Sequence, residues 1–185
     1  MPKRLPEVLA RDEARLLLQM PNPRYPTGAR DLCMIKLMLN SGLRAAEVLN
    51  LTWKDVDLHT GRLTVRQGKG NKDRQVWINE DTLELLRTWR AASPQSAHCF
   101  PTLAGTRMYD SALRFMVKRR AIKAGITKDV HPHMLRHTYA TELYRQTKDI
   151  RLVQKALGHA NLATTMIYTH IVDDDMETAM REFNI

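Results

Sequence analysis

Cysteine is scarce in this 185-residue chain: Cys33 and Cys99 are the only two, each set among apolar neighbours. That excludes a disulfide framework, and both read as small buried side chains of a reducing compartment. Long apolar runs are missing as well. The most apolar stretch, Leu32 to Leu39, carries Lys36 and falls well short of the roughly 18 residues that a membrane span requires. The first residues, MPKRLPEVLA, are basic but hold no extended apolar core and no cleavage site, which argues against a secretory signal and for the cytoplasm. Internal repeats and low-complexity tracts are absent, and at roughly 100 to 200 residues per domain there is room for one domain only. Acidic residues are in the minority: 20 Asp and Glu stand against 29 Lys and Arg, for a net charge of +9. Such a balance points to a polyanion such as nucleic acid, with an anionic membrane surface as the weaker alternative.

What is present is enough to fold. Apolar residues make up 43% and charged residues 26%, the proportions of an ordinary soluble domain. Apolar spacing and punctuation predict helices over Leu9–Met20, stopped by the cluster Pro21, Pro23 and Pro26, over Ala29–Asn40, broken at Ser41-Gly42, and over Arg44–Leu51. The signal then changes to short alternating runs, Asp55–Leu58, Leu63–Arg66 and Gln75–Ile78, separated by Gly61 and by the polar turn Gly68–Asp73. These predict a small antiparallel sheet of three strands. Helical spacing returns after Glu80, ends at Ser93-Pro94, and resumes over Tyr109–Ala124. Pro132 suits a first helical turn, and Leu135, Tyr139 and Leu143 follow along one buried face. Asp149 opens another helix that Gly158 ends, and Asn161 caps one reaching Tyr168. The fold class is mainly α with a small three-stranded antiparallel sheet, an α+β domain.

Four segments carry groups suited to phosphate chemistry. His131-Pro-His-Met-Leu-Arg-His137 concentrates three imidazoles and a guanidinium, with His133 and Arg136 on a shared face. Ser41-Gly-Leu-Arg44 places an arginine where a glycine turn opens a helix. Gly68-Lys69-Gly70 lifts an ammonium on a turn between strands, and Leu157-Gly-His159 sets an imidazole at a helix end, ahead of Tyr168. Taken singly each is as ordinary as a solvated basic face or a packing tyrosine; their order along the chain is what makes them specific.

The stretch HPHMLRHTYATELYRQTKDIRLVQKALGHANLATTMIYTHI, from His131 to Ile171, together with SGLRAAEVLNL and GKGNKDRQVWI upstream, resembles the catalytic domain of the tyrosine recombinases, the phage integrase family, and its Xer-like members in particular. The resemblance implies a recombinase catalytic fold akin to the core of type IB topoisomerases. It implies that Tyr168 is the nucleophile, with Arg44, Lys69, His133, Arg136 and His159 completing the site and Glu47 and His137 in support. In that scheme the two arginines clamp the phosphate. His133 serves as base, Lys69 as acid for the departing 5′ oxygen, and His159 as a hydrogen-bond donor to the phosphate. A 3′-phosphotyrosine would conserve bond energy, so that strands are cleaved and rejoined without ATP or metal and with no cofactor.

The resemblance further implies a double-stranded DNA target, no membrane partner, a monomer without DNA and a tetramer in the synaptic complex. Arg114, Lys118, Arg119, Arg120, Lys123, Lys72 and Arg74 are the expected DNA contacts. The family's amino-terminal core-binding domain is expected to be absent, leaving residues 1–172 as the catalytic domain. Residues 173–185, with Asp173, Asp174, Asp175, Glu177 and Glu182 against Arg181, form an acidic tail. Its stripe of Met176, Ala179, Met180 and Phe183 predicts a helix packing in cis or onto a neighbouring protomer. Three other readings stay open. Asp149–Thr169 also reads as a helix-turn-helix of a non-catalytic DNA-binding module, and a type IB topoisomerase would share the tyrosine chemistry. His133 and His137 have the i, i+4 spacing of zinc ligands, though Arg136 stands between them where a metalloprotease needs its glutamate.

Overall fold

Prolines bracket the first two helices, though not as expected. In the computed structural model, which describes residues 6–66, 73–159, 161–169 and 180–181, α1 (Arg11–Gln19) does end before the proline cluster. Pro26, however, opens α2 (Pro26–Ser41), where its missing N–H would have had no helical partner. The helix expected from Ala29 thus begins one turn earlier. It ends on Gly42, which adopts the left-handed conformation at φ 63°, one that a side chain disfavours.

After α3 (Ala45–Asn50), a short 3-10 turn (Trp53–Asp55) leads into the sheet. Strands β1 (Val56–Asp57), β2 (Arg62–Val65) and β3 (Arg74–Trp77) pair antiparallel in sequence order. Val56 faces Leu63, and Leu63 faces Val76. The period of two puts Leu63, Val65 and Val76 in the core and turns Trp77 to solvent.

Four further helices complete the fold: α4 (Glu80–Ala92), α5 (Asp110–Lys123), α6 (Pro132–Thr147) and α7 (Ile150–Leu157). Helix α2 runs through the middle, packed between α4 and α6, and Cys33, Met34, Ile35, Leu37 and Met38 on it are fully buried. A helix apolar on more than one face has to be enclosed in this way. The largest buried side chain, Trp89, donates its indole N–H to the Cys99 carbonyl at 2.7 Å, so its one polar atom is satisfied. Both cysteines are free and buried, and burial pushes the Cys33 thiol up to about 12.

A second, smaller cluster gathers Ala140, Val153, Leu157 and Tyr168 between α6 and α7. Asp149 caps α7 by accepting the N–H groups of Arg151 and Leu152, and Gly158 ends it at φ 65°. The single helix expected from Asn161 to Tyr168 is instead a 3-10 turn, Leu162–Thr164, followed by a separate helical turn over 167–169. Asn161 does cap it, accepting from the Ala163 N–H. The break falls at Thr165, which is fully buried and bonded to His159. The predicted tail helix lies outside the described residues except for Met180 and Arg181, which are helical.

Candidate active site

Three arginines converge on one carboxylate. Arg44 caps α3, and Glu47 in the first turn reaches back to it, accepting its backbone N–H at 2.7 Å and its guanidinium at 2.8 Å. Arg74, at the start of β3, closes on both Glu47 oxygens with its two terminal nitrogens at 2.7 and 2.8 Å. Arg136 stands 3.9 Å from the same carboxylate. Burial alone would raise the pKa of Glu47, but the hydrogen bond and charge of Arg74, joined by Arg44, hold it at about 2. Three cations around one anion leave a local excess of positive charge, the condition for attracting an oxyanion.

Arg136 is buried and ties the ends of α2 and α7 together. One terminal nitrogen donates to the Gly42 carbonyl at 2.5 Å, the other to the Leu157 carbonyl at 2.7 Å. That second nitrogen also lies 3.2 Å from Nε2 of His159. Burial and the neighbouring charge of Arg44 lower its pKa to about 10, partly offset by Glu47, so it stays cationic at neutral pH. A guanidinium can only donate, so Nε2 of His159 accepts, and the ring proton sits on Nδ1, which donates to the Thr165 hydroxyl at 3.0 Å. Burial first, then the positive charge of Arg136 and Arg44, bring His159 down to about 4, and the ring is neutral.

Tyr168 is only 1% exposed. Its hydroxyl lies 2.8 Å from Nδ1 of His137, one turn beyond His133 on α6. Burial pushes the phenol up to about 12 against the pull of Arg136 and Arg44. Burial, followed by the charges of His133 and Arg136, brings His137 down to about 4. An uncharged imidazole therefore touches an uncharged phenol, a pair that can pass a proton once the phenol meets an electrophile.

A sequence profile of the phage integrase family matches residues 7–174. The chain belongs to the phage integrase family. Among its relatives, the tyrosine recombinase XerC of Xanthomonas axonopodis pv. citri is 42% identical over 172 residues, 92% of this chain and 56% of that protein. The tyrosine recombinase XerD of Staphylococcus saprophyticus is 36% identical over 98% of this chain and 64% of its own length. This chain thus spans little more than half of the first and under two thirds of the second. Among solved structures, the XerA recombinase superposes with a TM-score of 0.85 at 34% identity, covering 98% of this chain and 66% of that one. The XerH site-specific recombinase, bound to a palindromic difH substrate in a post-cleavage complex, gives 0.82 at 34% identity over 96% and 53%. The fold is that of the tyrosine recombinase catalytic domains, with the expected mainly helical architecture and three-stranded sheet.

Against the site residues expected of this phage integrase family member, the structure brings Arg44, Glu47, Arg136, His159, His137 and Tyr168 together. His133, expected as the base for Tyr168, is exposed, and the phenol is bonded to His137 instead. Partial desolvation and the charges of His131, Arg114, Arg136 and Arg44 lower the His133 pKa. Lys69 and Lys72 lie outside the described residues.

Two of the expected DNA contacts are engaged within the fold. Arg74 is 8% exposed, with its fork on Glu47 and Nε on the Ala156 carbonyl at 3.1 Å, so it faces inward. Arg120, 14% exposed, is bonded at 2.7 Å to the buried carboxylate of Asp31. The remaining cations of α5 lie outward: Arg114 pairs with Asp110, Lys118 with Asp129, Arg119 lies over the Phe115 ring, and Lys123 is exposed. Residues that sequence reasoning missed are Gly42, whose carbonyl anchors Arg136, and Thr165, which orients His159. Only the glycine had a signal, its place after a helix. Among the described residues no group of three or more His, Cys, Asp or Glu is arranged to hold a metal ion, and no helix is long and apolar enough to cross a membrane.

Proposed function

We propose that this chain is the catalytic part of a site-specific DNA recombinase that cleaves and rejoins strands through a 3′-phosphotyrosine at Tyr168. The observation that carries the reading is the convergence of Arg44, Arg136 and His159 beside a buried tyrosine whose hydroxyl already meets an imidazole. The names of the relatives and the DNA held by the XerH structure support it.

In this mechanism Arg44 and Arg136 bind the non-bridging oxygens of a phosphodiester, a planar fork suiting them better than an ammonium would. Tyr168 oxygen attacks phosphorus in line, and its proton passes to Nδ1 of His137. The phosphorus bond to the 5′ oxygen breaks, and that oxygen takes a proton from Lys69. His159 and His133 flank the phosphate. Attack by a 5′ hydroxyl on the phosphotyrosine reverses these transfers and restores the phosphodiester, with no net hydrolysis. Double-stranded DNA is the partner, bound by a monomer that assembles as a tetramer around two duplexes, in the cytoplasm. Residues 1–172 form the catalytic unit and residues 173–185 an acidic tail. A helix-turn-helix module would explain the turn after α7 but leave the Arg44–Glu47–Arg74–Arg136 cluster without a use.

The test is covalent capture. Nicked duplexes with a randomised core are incubated with the wild type and with Tyr168→Phe, and protein-linked strands are recovered from denaturing gels and sequenced. A linked product that converges on one sequence and disappears in the Phe variant is the expected result. DNA binding without any linked strand would favour the non-catalytic module.

A further inference from the structure

We propose that Arg74 is a positioning residue of the active site: by clamping Glu47 and holding the Ala156 carbonyl, it sets the end of α7, and with it His159, in register with Arg44 and Arg136. This rests on the recombinase reading above and deepens it.

The geometry is specific. Arg74 begins β3, yet its side chain reaches two other elements, Glu47 of α3 through both terminal nitrogens and Ala156 of α7 through Nε. Arg136, from α6, donates to the very next carbonyl, Leu157. The last turn of a helix leaves its carbonyls without helical partners, and cations are favoured there by the helix dipole. Two guanidiniums, one from β3 and one from α6, therefore fill successive carbonyls of α7. Gly158 then turns the chain, and His159 emerges with Nε2 3.2 Å from Arg136. A shift of the helix end by about 1 Å would part that contact, and displacements of this size cost roughly 100-fold in catalysis.

Only arginine satisfies the arrangement. Its fork spans both carboxylate oxygens while Nε points in a third direction. A lysine at 74 can meet Glu47 or the Ala156 carbonyl, and not both. The alternative, a phosphate contact, would require this 8% exposed side chain to abandon a bidentate pair with a 9% exposed carboxylate.

The experiment compares the full chain as wild type, Arg74→Ala, Arg74→Lys, Glu47→Gln and the Arg74→Ala/Glu47→Gln double variant. The probe is the strand sequence recovered by covalent capture. Expected is a roughly 100-fold slower single-turnover linkage for Arg74→Ala at saturating DNA, with the dependence of binding on salt unchanged. Arg74→Lys should recover only part of the rate, and the double variant should be no worse than its poorer parent. Linkage by Arg74→Ala should also fall off on the acid side at a higher pH than in the wild type, because Glu47 loses the group that keeps it ionised; a purely structural defect would scale the rate equally at every pH. A salt slope reduced by about one, with the saturated rate intact, would overturn the proposal in favour of a phosphate contact. So would an equal loss at every pH. A second readout needs no catalysis: amide exchange at Gly158 and His159 should accelerate in Arg74→Ala and Arg74→Lys while α2 keeps its protection, and unchanged exchange there would overturn the proposal. A wild type that links no DNA would defeat the recombinase reading, and the exchange comparison would still decide the role of Arg74.

Discussion

The phenol of Tyr168 and the imidazole of His137 meet at 2.8 Å, with their ring centres 5.8 Å apart and the planes tilted by 49°. Each is the other's polar partner inside the small cluster between α6 and α7. Replacing His137 by Ala strands a buried hydroxyl, and leaving such a group unpaired costs about 1–3 kcal/mol. Tyr168→Phe removes the hydroxyl itself and should cost less. Urea unfolding of both single variants and the double should give a double-variant loss smaller than the sum, since the two share one interaction.

Acid should begin to weaken the fold through buried histidines, at a higher pH than the one at which Glu47 contributes. His137 and His159 are held at about 4 in the folded chain against about 6.5 when unfolded. Between those limits the unfolded chain binds protons that the folded chain refuses, so stability present above about pH 6.5 is lost as the pH falls toward 4. Glu47, held at about 2, adds its loss in a lower window, from about 4.5 to 2. Unfolding midpoints in urea taken at steps from pH 7 to pH 4 should fall steadily, and His159→Gln should flatten the slope by roughly one proton. A midpoint constant over that range would contradict the assignment.

Gly42→Ala should damage both fold and site. The residue sits at φ 63°, and a Cβ there would stand 2.4 Å and 2.7 Å from the Tyr139 ring and 3.2 Å from Leu157. Left-handed backbone and crowding together predict a loss of roughly 1–3 kcal/mol. Because the Gly42 carbonyl anchors Arg136, covalent linkage to DNA should fall further than DNA binding does, measured on the same preparation at saturating duplex.

The cations of α5 should divide into two behaviours. Arg120→Ala removes a partner from the buried Asp31, which keeps Arg30 at 3.2 Å, and a loss of roughly 2 kcal/mol is expected with no change in salt dependence of DNA binding. Lys123→Ala, on the exposed side, should leave stability alone and lower the salt slope by about one. Fluorescence-anisotropy titrations across a salt series, beside urea melts, separate the two.

Local grammar made most of the fold legible in the sequence. Gly158 as a helix stop, Asp149 and Asn161 as caps, Pro132 in a first turn and the alternation around Leu63 and Val76 are each encoded within a few residues. Pro26 misled because a proline marks a helix start as readily as an end, and the difference depends on what the preceding turn does. The arrangements at the site that local spacing does not reveal share another cause. The partners of Arg74 and Arg120 are 27 and 89 residues away, and no spacing rule reveals whether a cation faces solvent or a distant carboxylate. His133 and His137 lie one turn apart on a single helix. Which of them meets Tyr168 depends on how the turn after α7 folds back, and Thr165, which breaks that segment in two, carries no outward sign of its burial.

Both terminal nitrogens of Arg136 are taken up by Gly42, Leu157 and His159, so the side chain that would grip the phosphate is also a rivet between the ends of α2 and α7. Knockout of this position reports lost architecture together with lost chemistry. In a deep mutational scan scored for abundance as well as for activity, Arg136 should rank beside the buried core residues Trp89 and Leu135, whereas an arginine used for chemistry alone would be silent in the abundance channel.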